Sequence, residues 1–127
     1  MPARILVVDD DPAVREFSAT TLRASGFTVK DVASGEEALD ELRRAHFDVV
    51  VLDKAMPGMD GDEVARRLRD EPGGASMAIL MLSGLDSDQD QWDGWRSGVD
   101  VYVTKPFDGD ELVAHIQRLL RLKTSVR

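Results

Sequence analysis

Five short apolar runs, separated by longer amphipathic segments, constrain the fold of this chain more than any other feature of its sequence. We label the predicted elements β1–β5 and α1–α5 in chain order. The strands are predicted at Arg4–Val8, Thr28–Val32, Asp48–Leu52, Ala78–Leu82 and Val101–Val103. Their β-branched content and their lack of polar alternation indicate strands that are buried on both faces, as in a parallel sheet.

The segments between the strands have the pattern of amphipathic helices. The helices are predicted at Pro12–Ser25, Gly35–Ala45, Gly61–Asp70, Ser87–Ser97 and Asp108–Leu122. Ser34, Asp60 and Asp108 each stand three residues before a glutamate, which is typical of a helix start. Five β-α units in series predict a doubly wound α/β fold with right-handed crossovers.

Composition excludes several classes of function. The chain has 127 residues, enough for one domain, and has no cysteine, so disulfides and thiol catalysis are excluded. Its net charge of −8 disfavours direct binding to nucleic acid, which depends on clustered lysine and arginine. No apolar run approaches the roughly 20 residues of a membrane span, and the N-terminus lacks an apolar signal segment. We therefore expect a cytoplasmic protein without a membrane partner.

Charged and hydroxyl side chains follow four of the five predicted strands. They are Asp9, Asp10 and Asp11 after β1, Asp53 after β3, Ser83 after β4 and Lys105 after β5. Because the carboxyl ends of parallel strands meet at one edge of the sheet, we expect these groups to converge there. Carboxylates without cysteine or histidine favour a hard cation such as Mg²⁺, and a lysine with a hydroxyl suits a phosphoryl group. Asp53, on the predicted central strand, is the best candidate nucleophile for an aspartyl phosphate.

The three consecutive aspartates separate into two roles. Asp11 precedes Pro12, and aspartate followed by proline is typical of a helix N-cap and its first helical residue. Asp9 and Asp10 end the strand and belong to the carboxylates that suit a hard cation.

Four stretches together identify a resemblance that covers essentially the whole chain. They are "ILVVDDDP", "VVVLDKAMPGMDG", "MLSG" and "GVDVYVTKPF". In this order and at these intervals they resemble the receiver (CheY-like) domain of bacterial two-component response regulators. The resemblance implies a flavodoxin-like fold with a five-stranded parallel sheet in the order 2-1-3-4-5. Residues 1–122 would form the receiver domain, and residues 123–127 a C-terminal tail or the start of a linker.

The resemblance also implies a role for each residue at the predicted site. Asp53 matches the phosphoacceptor, and Asp9 and Asp10 match the acidic pair that holds Mg²⁺ or Mn²⁺. Asp53 and the backbone carbonyl of Ala55 would complete the protein ligands of the metal. Lys105 matches the lysine that pairs with the phosphoryl group.

Two further positions complete the implied mechanism. Ser83 matches the hydroxyl that follows the phosphoryl group, and Tyr102 matches the aromatic switch that turns inward when this hydroxyl moves. Pro106 matches the residue that follows a cis peptide bond, here with Lys105. Phosphorylation would in this way change the surface formed by α4, β5 and α5.

The partners implied by the resemblance are those of a phosphorelay. A histidine kinase or a histidine phosphotransfer protein would donate the phosphoryl group. The domain would catalyse its own phosphorylation and dephosphorylation without being an enzyme that acts on other molecules. A downstream effector or output domain would read its state, and the domain would be a monomer or a weak phosphorylation-dependent dimer.

Some residues depart from the family pattern or have no assigned role. Lys54 stands where the family usually has an apolar residue; it is either a snorkelling lysine or a second cation that tunes the pocket. Trp92 and Trp95 lie on one face of α4 and either pack on the sheet or face a partner.

Dimerisation through the surface of α4, β5 and α5 is also in question. Val101, His115 and Gln117 replace charged residues that form ion pairs there in regulators with a winged-helix DNA-binding domain. The usual ion pairs of that dimer are therefore not available to this chain.

Other functional classes fit the sequence less well. A pseudo-receiver that only binds partners would share this fold. A phosphatase of the haloacid-dehalogenase type also uses an aspartate nucleophile with Mg²⁺, but places it after the first strand with a second aspartate two residues later. A dinucleotide-binding domain is excluded because no glycine-rich turn follows β1.

Overall fold

The computed structural model describes residues 2–84 and 98–125, the last three by their backbone alone. The strands are β1 Arg4–Val8, β2 Thr28–Val32, β3 Val49–Asp53, β4 Ala78–Ser83 and β5 Val101–Thr104. The helices are α1 Pro12–Ala24, α2 Gly35–Arg44, α3 Gly61–Asp70 and α5 Gly109–Ser125, with a 3₁₀ turn at Gly74–Ser76. The predicted α4 lies outside the described residues, and so do Trp92 and Trp95.

The five strands form one parallel sheet in the order β2-β1-β3-β4-β5, with β3 at its centre. This order confirms the predicted flavodoxin-like, doubly wound fold. Strand order reverses between β1 and β3, so the carboxyl ends of these two strands border the crevice where such folds bind ligands.

Both faces of the sheet are buried, as the apolar strands predict. Alternate residues of β1, β3 and β4 pack under α2 and α3 in one cluster that includes Leu52 and Met81. The residues between them pack under α1 and α5 in a second cluster that includes Val51 and Leu82. None of the described helices is long and apolar enough to span a membrane.

Three strands, β3, β4 and β5, end one residue later than predicted, and β3 also begins one residue later, at Val49. The ends of β3 and β4 concern the site. The predicted β3 ended at Leu52 and the predicted β4 at Leu82, whereas the ladder continues to Asp53 and Ser83. Asp53 is in register with Leu82, and Ser83 with Thr104. The predicted boundaries were wrong because a polar side chain at the last residue does not prevent its backbone from pairing.

The predicted helix starts are confirmed by their hydrogen bonds. Asp11 Oδ1 accepts from the backbone N–H of Ala13 at 2.9 Å, which makes it the N-cap of α1. Asp60 caps α3 through the N–H of Glu63 at 3.0 Å. Because Asp11 is engaged at the helix start, it is set apart from the other two aspartates of its run.

Helix α3 begins in close contact with the end of β3. A Cβ atom placed on Gly61 would lie 2.6 Å from the carbonyl oxygen of Asp53 and 2.8 Å from Cα of Lys54. Only glycine allows this approach without movement of the backbone. Gly61 also donates its N–H to the carbonyl of Lys54 at 2.8 Å, so the loop between them is closed at its base.

We expect Gly61→Ala to lower the free energy of unfolding by about 1–3 kcal/mol, because the added methyl group would overlap with backbone atoms of Asp53 and Lys54. Urea denaturation measures the change. Gly84→Ala is the matched control, since a Cβ at Gly84 meets no atom of residues 2–84 and 98–125 within 4 Å. Equal stability of the two variants would show that the close approach is not a constraint.

Candidate functional site

Three carboxylates lie together at the carboxyl ends of β1 and β3. Asp9, Asp10 and Asp53 offer oxygen atoms that all lie within 4.8 Å of one another. Asp9 and Asp53 are only 1% and 4% exposed, whereas Asp10 is exposed to solvent. Like charges this close, two of them buried, repel one another and favour a bound cation.

Asp9 is the least solvated member of this acidic cluster. Its Oδ1 accepts the N–H of Asp11 at 3.0 Å, while its Oδ2 is buried and has no hydrogen-bond partner within residues 2–84 and 98–125. Burial raises the pKa of Asp9 to about 6, and the nearby charge of Asp53 adds to the increase. A buried carboxylate oxygen without a partner fits the chemistry of a metal ligand.

Lys105 provides the positive charge of the site. Its Nζ donates to Oδ1 of Asp53 at 2.7 Å, and its peptide bond with Pro106 is cis, as predicted. The backbone N–H of Lys105 donates to the carbonyl of Ser83 at 2.7 Å, which ties the end of β5 to the end of β4. Asp53 therefore lies between the other carboxylates and the lysine.

The other predicted residues lie on β4, on β5 and in the loop after β3, outside the acidic cluster. Ser83 is the last residue of β4 and is buried. Ala55 follows β3 in the loop that leads to α3. Tyr102 pairs in register with Met81, is half-buried, and packs against the apolar cluster beneath α2 and α3.

Lys54 forms an ion pair that neither interpretation of it included. Its Nζ contacts Oδ2 of Asp62, and the two side chains are only 16% and 9% exposed. The interpretation of Lys54 as a snorkelling lysine is wrong, because its ammonium is held by a carboxylate. Asp62 was not recognised in the sequence, since an acidic residue in the first turn of a helix is ordinary.

Arg15 is a second residue that the sequence did not reveal. From α1, its Nη1 donates to the backbone carbonyl of Asp9 at 2.8 Å. This bond holds the end of β1 against the start of α1. The spacing of six residues has no motif that would have indicated it.

The comparisons with known proteins agree on one family. The family model "Response regulator receiver domain" matches residues 5–117. The chain is 45% identical over 124 residues to Response regulator MprA of Mycolicibacterium vanbaalenii, across 98% of this chain and 53% of that protein. It is 37% identical over 118 residues to RpaA of Synechocystis, a DNA-binding dual master transcriptional regulator, across 93% of this chain and 49% of RpaA.

A solved structure gives the same result for the fold. Chemotaxis protein CheY4 of Vibrio cholerae is 33% identical and superposes with a TM-score of 0.91, across 94% of this chain and 99% of CheY4. The chain therefore spans about half the length of the curated relatives MprA and RpaA and nearly all of CheY4.

The raised pKa of Asp9 predicts a pH dependence. The folded, metal-free protein binds the proton of Asp9 more tightly than the unfolded chain, whose aspartate has the ordinary pKa of 3.8. Protonation of Asp9 therefore favours folding. The stabilisation that comes from this proton increases as the pH falls from about 7.5 to about 5. Mg²⁺ requires the carboxylate, so the stabilisation by added Mg²⁺ should decrease over the same range.

Thermal unfolding with and without Mg²⁺ at both pH values measures this effect. Asp9→Asn is the control, because it removes the titrating group and with it this part of the pH dependence. A Mg²⁺ stabilisation that is the same at both pH values would contradict the assignment.

Proposed function

Because the chain belongs to the response regulator receiver domain family, we propose that it accepts a phosphoryl group on Asp53. One observation carries the proposal: Asp53 is a buried carboxylate at the end of the central strand, between the acidic cluster and the ammonium of Lys105. Phosphoryl transfer requires a positively charged group next to the negatively charged phosphoryl oxygens, and the ammonium of Lys105 provides that charge beside Asp53.

The protein ligands of the metal are proposed to be Asp9, Asp10, Asp53 and the backbone carbonyl of Ala55. An all-oxygen set with three carboxylates fits Mg²⁺ or Mn²⁺. The unpartnered oxygen of Asp9 supports this assignment. When bound, the cation supplies positive charge to the carboxylates and to the phosphoryl oxygens.

The proposed step is the transfer of a phosphoryl group from a phosphohistidine. An oxygen of Asp53 attacks phosphorus, an O–P bond forms, the P–N bond breaks, and the leaving imidazole nitrogen takes up a proton from water. The ammonium of Lys105, which donates a hydrogen bond to Asp53 Oδ1 in the unphosphorylated protein, would move to a phosphoryl oxygen. Hydrolysis reverses the modification, since water then attacks phosphorus and Asp53 leaves as a carboxylate.

The readout is proposed to pass through Ser83 and Tyr102. Phosphorylation replaces the single negative charge of the Asp53 carboxylate by a phosphoryl group that carries about −1.5 to −2 charges and three acceptor oxygens. The hydroxyl of Ser83, at the end of the neighbouring strand, would turn toward this charge. Tyr102 is half-buried on β5 and would fill the space left by that movement, which changes the surface near β5 and α5.

An apolar patch beside Lys105 supports a protein as the phosphoryl donor. It consists of Ala13, Val14, Phe17, Pro106 and Phe107, which together with Lys105 line a cavity of about 560 Å³. The Phe17 and Phe107 rings are 5.9 Å apart, and Phe17 is 46% exposed. Exposed apolar surface of this kind is typical of interaction sites, and this patch adjoins Lys105, whose ammonium contacts Asp53. The donor would be a histidine kinase or a histidine phosphotransfer protein.

The output is proposed to lie outside this receiver domain. The relative RpaA is a DNA-binding regulator twice as long as the matched region, whereas CheY4 is matched along nearly its whole length. An attached output domain or a separate effector would therefore read the phosphorylated state. The net charge of −8 argues against nucleic-acid binding by the receiver domain itself.

We expect Asp53→Asn to abolish phosphoryl uptake from acetyl phosphate in the presence of Mg²⁺, because the amide is not a nucleophile for this reaction. Intact-protein mass spectrometry should show one added phosphoryl group on the wild type and none on the variant. Asp11→Asn is the matched control and should retain uptake, since asparagine also caps a helix. A pseudo-receiver would show no uptake in the wild type.

We also expect Phe17→Ala to slow transfer from a phosphorylated histidine kinase by about tenfold, the effect of about 1.4 kcal/mol of lost contact. Uptake from acetyl phosphate should be unchanged, because a small donor does not need the patch. Autoradiography of the two proteins over time measures the first rate. Equal effects on both donors would indicate that Phe17 acts on the site itself.

A further inference from the structure

The ion pair between Lys54 and Asp62 involves the residue that follows the proposed phosphoacceptor in the chain. Lys54 follows Asp53 in the chain, and its side chain continues the face of β3 that carries Leu52 toward α3. Asp62 is the second residue of α3 and is buried. Other ion pairs of the described residues are more exposed, as for Arg67 and Glu63 with 58% and 37%.

The backbone of Lys54 is held at the same place. Its N–H donates to the carbonyl of Leu82 at 2.9 Å, and its carbonyl accepts from the N–H of Gly61 at 2.8 Å. The main chain of Lys54 is therefore fixed on both sides. Where the Lys54 ammonium lies depends on the rotation of the side chain and on the carboxylate of Asp62.

The position of the Lys54 ammonium affects the total charge near the proposed metal site. Three carboxylates and Lys105 form the centre where the cation would bind. A second ammonium on the residue next to Asp53 would offset part of the negative charge that attracts Mg²⁺. With Asp62 in contact, Lys54 is part of a neutral pair on the side of the sheet that faces α3.

We propose that Asp62 is a positioning residue for the metal site: it holds and neutralises the ammonium of Lys54, so that this cation does not compete with Mg²⁺ for the acidic cluster. The inference rests on the proposed function, because it assumes that the cluster binds Mg²⁺. The pair provides a local charge balance that allows a lysine at a position next to the phosphoacceptor.

Isothermal titration calorimetry with Mg²⁺ tests the proposal on three forms of the protein. The wild type has the neutral pair, Asp62→Asn leaves Lys54 as an unpaired cation, and Lys54→Met with Asp62→Asn removes both charges. We expect Asp62→Asn to weaken Mg²⁺ binding by on the order of tenfold and the double variant to restore it to within about twofold. The difference should decrease at high salt, because screening weakens the repulsion.

Asp70→Asn is the matched control. Asp70 is exposed at the opposite end of α3, so its substitution removes the same charge from the same helix far from the site. Its Mg²⁺ affinity should stay at the wild-type value. Urea denaturation of each metal-free variant shows whether it is folded under the conditions of the titration.

Two results would overturn the inference. Asp62→Asn could bind Mg²⁺ as tightly as the wild type, or the double variant could remain as weak as Asp62→Asn; in either case the charge of Lys54 is not the cause. Failure of the proposed function is a different result, since a wild-type protein that does not bind Mg²⁺ at all would show it in the same experiment.

Discussion

The burial of Asp9 and Asp53 beside each other is the constraint on which the site depends. Two carboxylates with 1% and 4% exposure lie in one acidic cluster, and the nearby ammonium of Lys105 contacts only Asp53 among the cluster residues. Burial raises the pKa of Asp9 to about 6, and the nearby charge of Asp53 adds to the increase. The acidic cluster therefore favours a bound cation, and the receiver domain family to which the chain belongs generally binds Mg²⁺.

The surrounding structure keeps each charge in its place. Asp11 accepts the N–H of Ala13 as the cap of α1, and Arg15 donates to the backbone carbonyl of Asp9. Asp53 and Lys54 are consecutive residues at the end of β3, so their side chains are directed to opposite faces of the sheet. Asp53 contacts Lys105, while Lys54 contacts Asp62 of α3.

Much of this arrangement could be predicted from the sequence. The apolar runs of β1 and β3 and the caps at Asp11 and Asp60 are local signals, and sheet order follows from the family resemblance. The contact of Lys54 with Asp62 could not be predicted, because it depends on the close approach of α3 to β3 at Gly61. The last residues of the strands were missed for a similar reason: backbone pairing with a neighbour is not visible in one strand's sequence.

The central claim is that the buried carboxylates assemble around one divalent cation. A crystal grown with Mn²⁺ and measured at a wavelength where manganese scatters anomalously tests it most directly. The anomalous difference map should contain a peak among the carboxylates of Asp9, Asp10 and Asp53, next to the carbonyl of Ala55. A protein that takes up phosphoryl groups on Asp53 while Mn²⁺ binds elsewhere, or does not bind, would contradict the claim.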